Sequence, residues 1–346
     1  MTPERLQEMI EQFPTRRVAV VGDFFLDKYL DTAPELAETS VETGKRAHQV
    51  VQIRRSPGAA GTAVNNLAAL KAGTLHAIGA TGDDGEGYDL RQALEQRGCR
   101  TDGLLQFPSF MTPTYLKPRD HAIPGLAGEH ERYDTKNRKK TAEEIIGKVL
   151  ESLDAVLPDV DAVIVADQVE EDDCGIVTSS LRQALSDRAR SHPNVIFWAD
   201  SRAHVHSFRN MIIKPNEFEA LGHAHPVPGE EIALADLKAA LPQLRAENGA
   251  PVCVTRGEFG ILVSDPEVTS VPGVKLDGPV DPTGAGDSVT AGAVLALAVG
   301  ATLPESALVG ILTASITVQQ LATTGTASPE ELLERFDVWR AQNQSG

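Results

Sequence analysis

The order of apolar and amphipathic segments predicts an α/β fold: a doubly wound, mostly parallel sheet with helices on both faces and a small β flap or lid. Three observations carry this expectation. Short apolar, β-branched runs recur along the chain and read as buried strands. Helical patterns lie between them, as the crossover connections of parallel strands require. Two polar, Pro- and Gly-containing stretches interrupt the alternation and hold strand-like pieces of their own.

The first run, 17–22, is apolar and closed by Gly22; 75–80, 162–166, 195–199, 211–214 and 251–255 have the same character. Helical patterns fall at 61–72, 88–97, 141–156, 176–189 and 232–247. Thr141 and Glu144 stand at capping-box spacing, and Pro242 predicts a kink or break. The acidic run Glu170 to Asp173 reads as a solvated helix start with favourable dipole contacts. The last third is helical, at 288–300, 304–321 and 329–340, with Ser328, Pro329 and Glu331 forming a helix start. Segments 28–55 and about 107–135 are the lid pieces, with strand-like 48–53 and 113–116. They are read as insertions in a single domain, 1–346.

Of the 346 residues, 41% are hydrophobic and 23% charged, an ordinary globular composition. The formal net charge of −17 argues against nucleic acid or an anionic membrane surface as the main partner. A local basic pocket for a small anion remains compatible with it. Cys99, Cys174 and Cys253 are far apart and odd in number, which predicts free thiols in a reducing cytoplasm. The N-terminal residues lack the apolar core of a signal peptide, and no run is long enough to span a bilayer, so a cytoplasmic protein is expected.

The most informative stretch is Asp281-Pro282-Thr283-Gly284-Ala285-Gly286-Asp287, followed by a helix of small apolar residues. Bare amides at a helix start form an anion site. A carboxylate placed there would repel the anion unless it has work to do, and general-base attack by a hydroxyl on a phosphate is such work. No P-loop string and no dinucleotide-binding glycine fingerprint occurs, so phosphate chemistry rests on this segment. His204-x-His206 and His223-x-His225 lack partners at metal-site spacing and are not read as a metal site.

The seven-residue string resembles the second signature of the ribokinase-like (PfkB) carbohydrate kinases, and the resemblance runs from about residue 17 to 333. It implies Asp287 as catalytic base and Gly284, Ala285 and Gly286 as the anion hole. Val20 to Asp27 matches the end of the family's first strand, implying Asp27 as the sugar anchor, with Asp23 a second candidate or a turn cap. Lys214-Pro215-Asn216-Glu217-Phe218-Glu219 resembles the N-x-x-E motif, implying that Asn216 and Glu219 order Mg²⁺ waters and phosphates; a helix cap is the plain alternative. Thr255-Arg256-Gly257 resembles the loop bordering ATP. Thr323-Thr324-Gly325-Thr326 resembles a late loop over the nucleotide, with Gly325 near ATP. Together with Asp281 and Thr283 it implies an oxygen cage for a monovalent cation such as K⁺.

Within the family the chain resembles the heptose 7-phosphate kinase domain of the ADP-heptose pathway. Gly22-Asp23-x-x-Leu26-Asp27-x-Tyr29 and Arg132-Tyr133-Asp134 carry that likeness. It implies Lys117, Arg119, Arg132 and Lys136 as a phosphate-binding set, and Gly58, Thr62, Asn66 and Asp167 beside the sugar. Departures are Ala59 where a second Gly is expected, Thr62 where an Asn is expected, and Asp167-Gln168 without the usual Tyr. No segment of the given sequence resembles the nucleotidyltransferase domain fused to some heptose kinases.

The expected function is ATP- and Mg²⁺-dependent phosphorylation of a hydroxyl of a sugar or sugar phosphate, heptose 7-phosphate at its anomeric hydroxyl among them. The lid serves as a candidate homodimer contact. Two alternatives stay open. A nucleoside kinase would need an apolar slot built from Phe24, Phe25, Phe107, Phe110 and Met111. A non-catalytic sugar-phosphate sensor would keep the fold without needing Asp287.

Overall fold

The structure, a computed structural model, describes residues 1–123, 125–223, 227, 230–265, 267–321 and 324–343. His225 and Thr323 lie outside the described residues. In chain order the strands are β1 (Arg17–Gly22), β2 (Phe24–Thr39), β3 (Arg46–Ala59), β4 (Thr74–Gly82), β5 (Cys99–Arg100), β6 (Leu104–Phe107), β7 (Thr114–Asp120) and β8 (Tyr133–Thr135). They continue with β9 (Ala162–Asp167), β10 (Ile196–Ser201), β11 (Ile212–Ile213), β12 (Val252–Thr255), β13 (Ile261–Ser264) and β14 (Val268–Val271). The helices are α1 (Pro3–Gln12), α2 (Ala60–Ala69), α3 (Gly85–Glu95), α4 (Glu143–Val156) and α5 (Ser179–Ser191). Then come α6 (Glu217–Ala220), α7 (Leu234–Asn248), α8 (Ala285–Ala298), α9 (Leu303–Thr317) and α10 (Pro329–Asn343).

The main sheet runs β14-β13-β12-β11-β10-β9-β1-β4-β5, with β6 also on β4. It is parallel from β12 through β5, while β13 and β14 are antiparallel additions at one edge. Side-chain alternation on β1 explains the two layers. Val18 and Val20 enter one apolar core with residues of α1, α2, α8, α9 and α10. Ala19 and Val21 enter the other with residues of α4, α5 and α7. Both faces of the sheet are thus covered, as expected. All three cysteines are free and buried, and no described helix is long and apolar enough to cross a membrane.

A second sheet, ordered β3-β2-β7-β8, stands apart from the first. It is more extensive than the two strand-like pieces read from the sequence. β2 and β3 are 16 and 14 residues long and pair antiparallel from Phe24↔Ala59 outwards, with register shifts after Asp31 and Ala33. Much of β3 is exposed, so its sequence is polar and its strand character is diluted.

Other local expectations are corrected. Thr141 does not cap α4, which begins after Ala142 with no side-chain cap; its hydroxyl donates instead to Gly175 O at 2.7 Å. The acidic run 170–173 forms turns, not a helix start; Asp173 accepts the Ser179 N–H at 2.8 Å, while Thr178 caps α5. Helix α7 continues through Pro242. Ser328 and Glu331 do exchange bonds at the start of α10.

Candidate active site

The loop from β14 to α8 turns into the helix at Gly284, which has φ 76°. A Cβ there would also lie 3.1 Å from Thr62 Cγ2, so glycine is required for conformation and for space. Asp281 is buried, accepts the Thr283 N–H at 3.0 Å, and donates its own N–H to Val318 O at 2.7 Å. Ala285 N–H is consumed by Pro282 O at 3.1 Å, so the expected contribution of Ala285 to the anion hole is corrected. Among the described residues, the N–H groups of Gly284, Gly286 and Asp287 have no hydrogen-bond partner. These three amides form the bare helix start.

Two cavities meet at this loop. One, of about 190 Å³, is lined by Asp27, Thr62, Lys117, Arg132, Arg202 and Asp287, together with Phe25, Ala59 and Gly284. The other, of about 460 Å³, is lined by Thr255, Gly257, Pro282, Ala285 and Gly286 and by aliphatic side chains including Leu276, Val289 and Ile311. Consecutive residues of one helical turn therefore face different chambers. Burial first, then Asp200, pushes the Asp287 carboxyl up to about 7, against the pull of Lys214 and Arg202.

In the smaller cavity, Asp27 on β2 meets Lys117 on the neighbouring β7, Oδ1 to Nζ 2.9 Å, both buried. Gly58 on β3 is what leaves room: a Cβ there would lie 2.6 Å from Asp27 Oδ2. Lys117 Nζ also lies 3.4 Å from Tyr29 OH. Arg132 stacks over Tyr115 at 4.4 Å and forks onto Asp134 at 2.7 and 2.8 Å. Ala59 has φ 52°, an uncommon conformation for a residue with a side chain. This is the position where the sequence departs from paired glycines, and the strain is of the order of 1–3 kcal/mol.

Several expected residues are placed elsewhere. The Asp23 carboxylate accepts backbone N–H groups of Gln168 (2.9 Å), Val169 (3.3 Å) and Ile176 (2.7 Å). It clamps the turn after β9 and does not line the cavity. Asp167 pairs with Arg182 at 3.3 Å and accepts from Ser201 at 2.7 Å, facing the interior. Asn66 is fully buried, donating to Thr62 O at 3.1 Å and Gly325 O at 3.5 Å. Each of the three had polar work inside the fold that its sequence neighbours do not reveal. Arg119 turns to Asp31 and Ile123 O, and Lys136 lines a separate small crevice. Arg202, not expected, supplies the third cation of the cavity.

On the other side, Thr255 and Gly257 line the larger cavity, whereas Thr283 faces the smaller one and Gly325 neither. Arg256 is held by Glu217 at 3.3 Å and stacks over Phe259. Asn216 and Glu219 form a complete capping box on α6, so the plain alternative is realised. Burial pushes Glu219 up to about 7, while the Asn216 N–H and Lys214 pull it down. Among the described residues no group of three or more His, Cys, Asp or Glu could hold a metal. Glu219 Oε2 accepts the Asn216 N–H at 2.7 Å, and neither Asn216 nor Glu219 is among the residues that line the two cavities. Asp200 and Thr290 stand in no recognisable motif, and Lys214 had no expected role. The available signal for Lys214 was a lysine directly following an apolar strand.

The pfkB family carbohydrate kinase profile matches residues 16–331. The bifunctional protein HldE of a Nitratiruptor species is 29% identical over 324 residues, 92% of this chain and 64% of that protein. Such curated relatives are longer, and the chain spans 63–66% of their length. Phosphofructokinase-2 from Escherichia coli in complex with potassium has a TM-score of 0.69 at 18% identity, covering 94% of this chain and 99% of that one. Ribokinase of Arabidopsis thaliana complexed with ribose and ATP has a TM-score of 0.64 at 16% identity, covering 92% and 98%. These two likenesses establish the shared fold. The family match begins just before β1, encloses the β14–α8 loop and ends in the first turn of α10, and the chain belongs to the pfkB family of carbohydrate kinases.

Proposed function

We propose that this kinase transfers the terminal phosphoryl group of ATP to a hydroxyl of a sugar that already carries a phosphate, of the heptose 7-phosphate type. The observation that carries the reading is the division of one helical turn between two chambers. ATP occupies the larger one, whose aliphatic walls suit a base and whose Gly286 end meets its phosphates. The sugar occupies the smaller one. Asp27 accepts hydrogen bonds from the sugar hydroxyls, and Lys117, Arg132 and Arg202 attract the substrate's own phosphate. Three cations against the two carboxylates Asp27 and Asp287 line this small cavity of a protein of net charge −17, a balance that favours an anionic substrate over a neutral one.

In the reaction, Asp287 takes the proton of the attacking hydroxyl. The new O–P bond forms as the bond from the phosphoryl group to the ADP oxygen breaks. The Gly286 and Asp287 amides face the phosphoryl oxygens; such donors are each worth about 2.7–4 kcal/mol in the transition state. Mg²⁺ would neutralise phosphate charge when bound, and Asn216 and Glu219 would order its water. K⁺ activation is the accompanying reading of Asp281 and Thr283; comparing turnover in KCl with tetramethylammonium chloride tests it.

A nucleoside substrate is disfavoured. Of Phe24, Phe25, Phe107, Phe110 and Met111, only Phe25 lines the smaller cavity. The family match and the two-chamber loop favour catalysis over a sensor. The test is ADP release over a panel of free and phosphorylated hexoses and heptoses, with nucleosides as controls. Preference for phosphorylated sugars supports the proposal; equal or better turnover of free sugars or nucleosides overturns it. Leu36, Val50, Val51 and Ile53 are exposed on the small sheet and support a homodimer through it, which light scattering of the purified protein decides.

A further inference from the structure

Beneath the loop lies a set of buried charges. Lys214 follows β11 and is 4% exposed. Its N–H donates to Ala199 O at 3.0 Å, tying it to β10. Its Nζ stands 3.0 Å from Asp200 Oδ2. The same oxygen accepts from Thr290 Oγ1 at 3.1 Å, and Thr290 accepts from Trp198 Nε1 at 3.2 Å. Thr290 is three residues beyond Asp287 on α8, so the two share a helix face. A Cβ on Gly286 would lie 3.2 Å from Lys214 Nζ. The ammonium thus abuts the glycine that leads into the base.

A buried lysine–aspartate pair is a poor stabiliser, because desolvation offsets the attraction and an apolar pair would serve as well. Its place under an anion loop suggests another use. The charged groups around Asp287 come from four places: Asp27 on β2, Asp200 and Arg202 at the end of β10, Lys214 after β11, and Glu219 of α6 beside Lys214. The two cations favour the ionised base, and Asp200 and Asp27 oppose it. Burial works against the charge of Lys214, but Asp200 and Glu219 outweigh burial and hold it protonated.

Resting on the kinase reading above, we infer that Lys214 and Asp200 are positioning residues for Asp287. Lys214 keeps the carboxylate ionised before the proton arrives. Asp200, held by Thr290 and Trp198, fixes the ammonium and keeps Asp287 basic enough to accept that proton. The pair acts through Asp287 and does not touch the sugar.

The test compares Lys214→Met and Asp200→Asn with the wild type. Lys214→Met should lower kcat about 100-fold, leave the KM for ATP and sugar within about threefold, and move the acidic limb of kcat/KM up by about one pH unit. Asp200→Asn should move the limb down by a similar amount. A purely structural role would scale activity at every pH and leave the limb in place. An unmoved limb in both variants, or a shift in the same direction, overturns the inference. Lys214→Gln replaces Lys214→Met if the latter does not fold by circular dichroism. If the wild type turns over no sugar, the kinase reading falls by itself. Carboxyl ¹³C NMR titration of Asp287, assigned with Asp287→Asn, then still decides: opposite shifts in the two variants sustain the positioning role, and unchanged titration removes it.

Discussion

At the scale of the residue, Asp287 carries two opposing demands. As the proposed base it must be ionised to accept a proton, yet burial and Asp200 push its carboxyl up to about 7. Activity should therefore fall as pH drops below about 7, with a single-proton limb in kcat/KM. Asp287→Asn should cut turnover by about 10²–10⁴-fold while calorimetry shows ATP binding nearly unchanged. Stability should move the other way. The folded carboxyl is raised above its unfolded value, so ionising it costs native stability, and the cost is fully present above about pH 7. Asp287→Asn should raise Tm more at pH 8 than at pH 5; an equal change at both would contradict the assigned environment.

At the scale of the element, strand pairing places Asp27, the proposed sugar anchor. The β2–β3 register sets Asp27 opposite Ser56, and parallel pairing with β7 brings up Lys117. Gly58 leaves the space the carboxylate occupies. Gly58→Ala should displace Asp27 from Lys117 and raise the KM for the sugar about tenfold or more, since breaking a buried pair costs up to several kcal/mol. The KM for ATP should stay within about twofold in the same steady-state assay. The turn into α8 was legible in the sequence because its small residues and its carboxylate lie in seven consecutive positions. Asp23, Asp167 and Asn66 were not, because their partners lie far along the chain: Asp23 bonds Gln168 and Ile176, and Asn66 reaches Gly325.

At the scale of the whole molecule, the two sheets divide the work. The main sheet and its helices form two buried cores and hold the loop, Lys214 and Asp200. The small sheet brings Asp27, Lys117 and the strained Ala59 over the loop. Ion pairs of Lys28 with Glu86 (2.9 Å) and of Arg55 with Asp89 (2.6 Å) tie β2 and β3 to α3. Such partly exposed pairs are weak, and closure of the small sheet over bound substrates is the expected outcome. Hydrogen exchange should slow in β2 and β3 when a phosphorylated sugar and a non-hydrolysable ATP analogue are both bound, and stay unchanged in β1 and β9. Equal slowing in both sheets would count against closure.

What the sequence determined by itself was local. Alternating apolar strands and amphipathic helices specify a covered parallel sheet, and a run of small residues ending in an acid specifies a helix start with unpaired amides beside a carboxylate. Both are properties of neighbouring residues. Tertiary structure alone decided which polar groups face a cavity and which face each other. It separated Lys117 and Arg132 from Arg119 and Lys136, brought in Arg202, and set Lys214 and Asp200 beneath the loop. The reason is physical: the free energy of a buried charge depends on partners contributed by other strands and helices, and no spacing along the chain encodes that meeting.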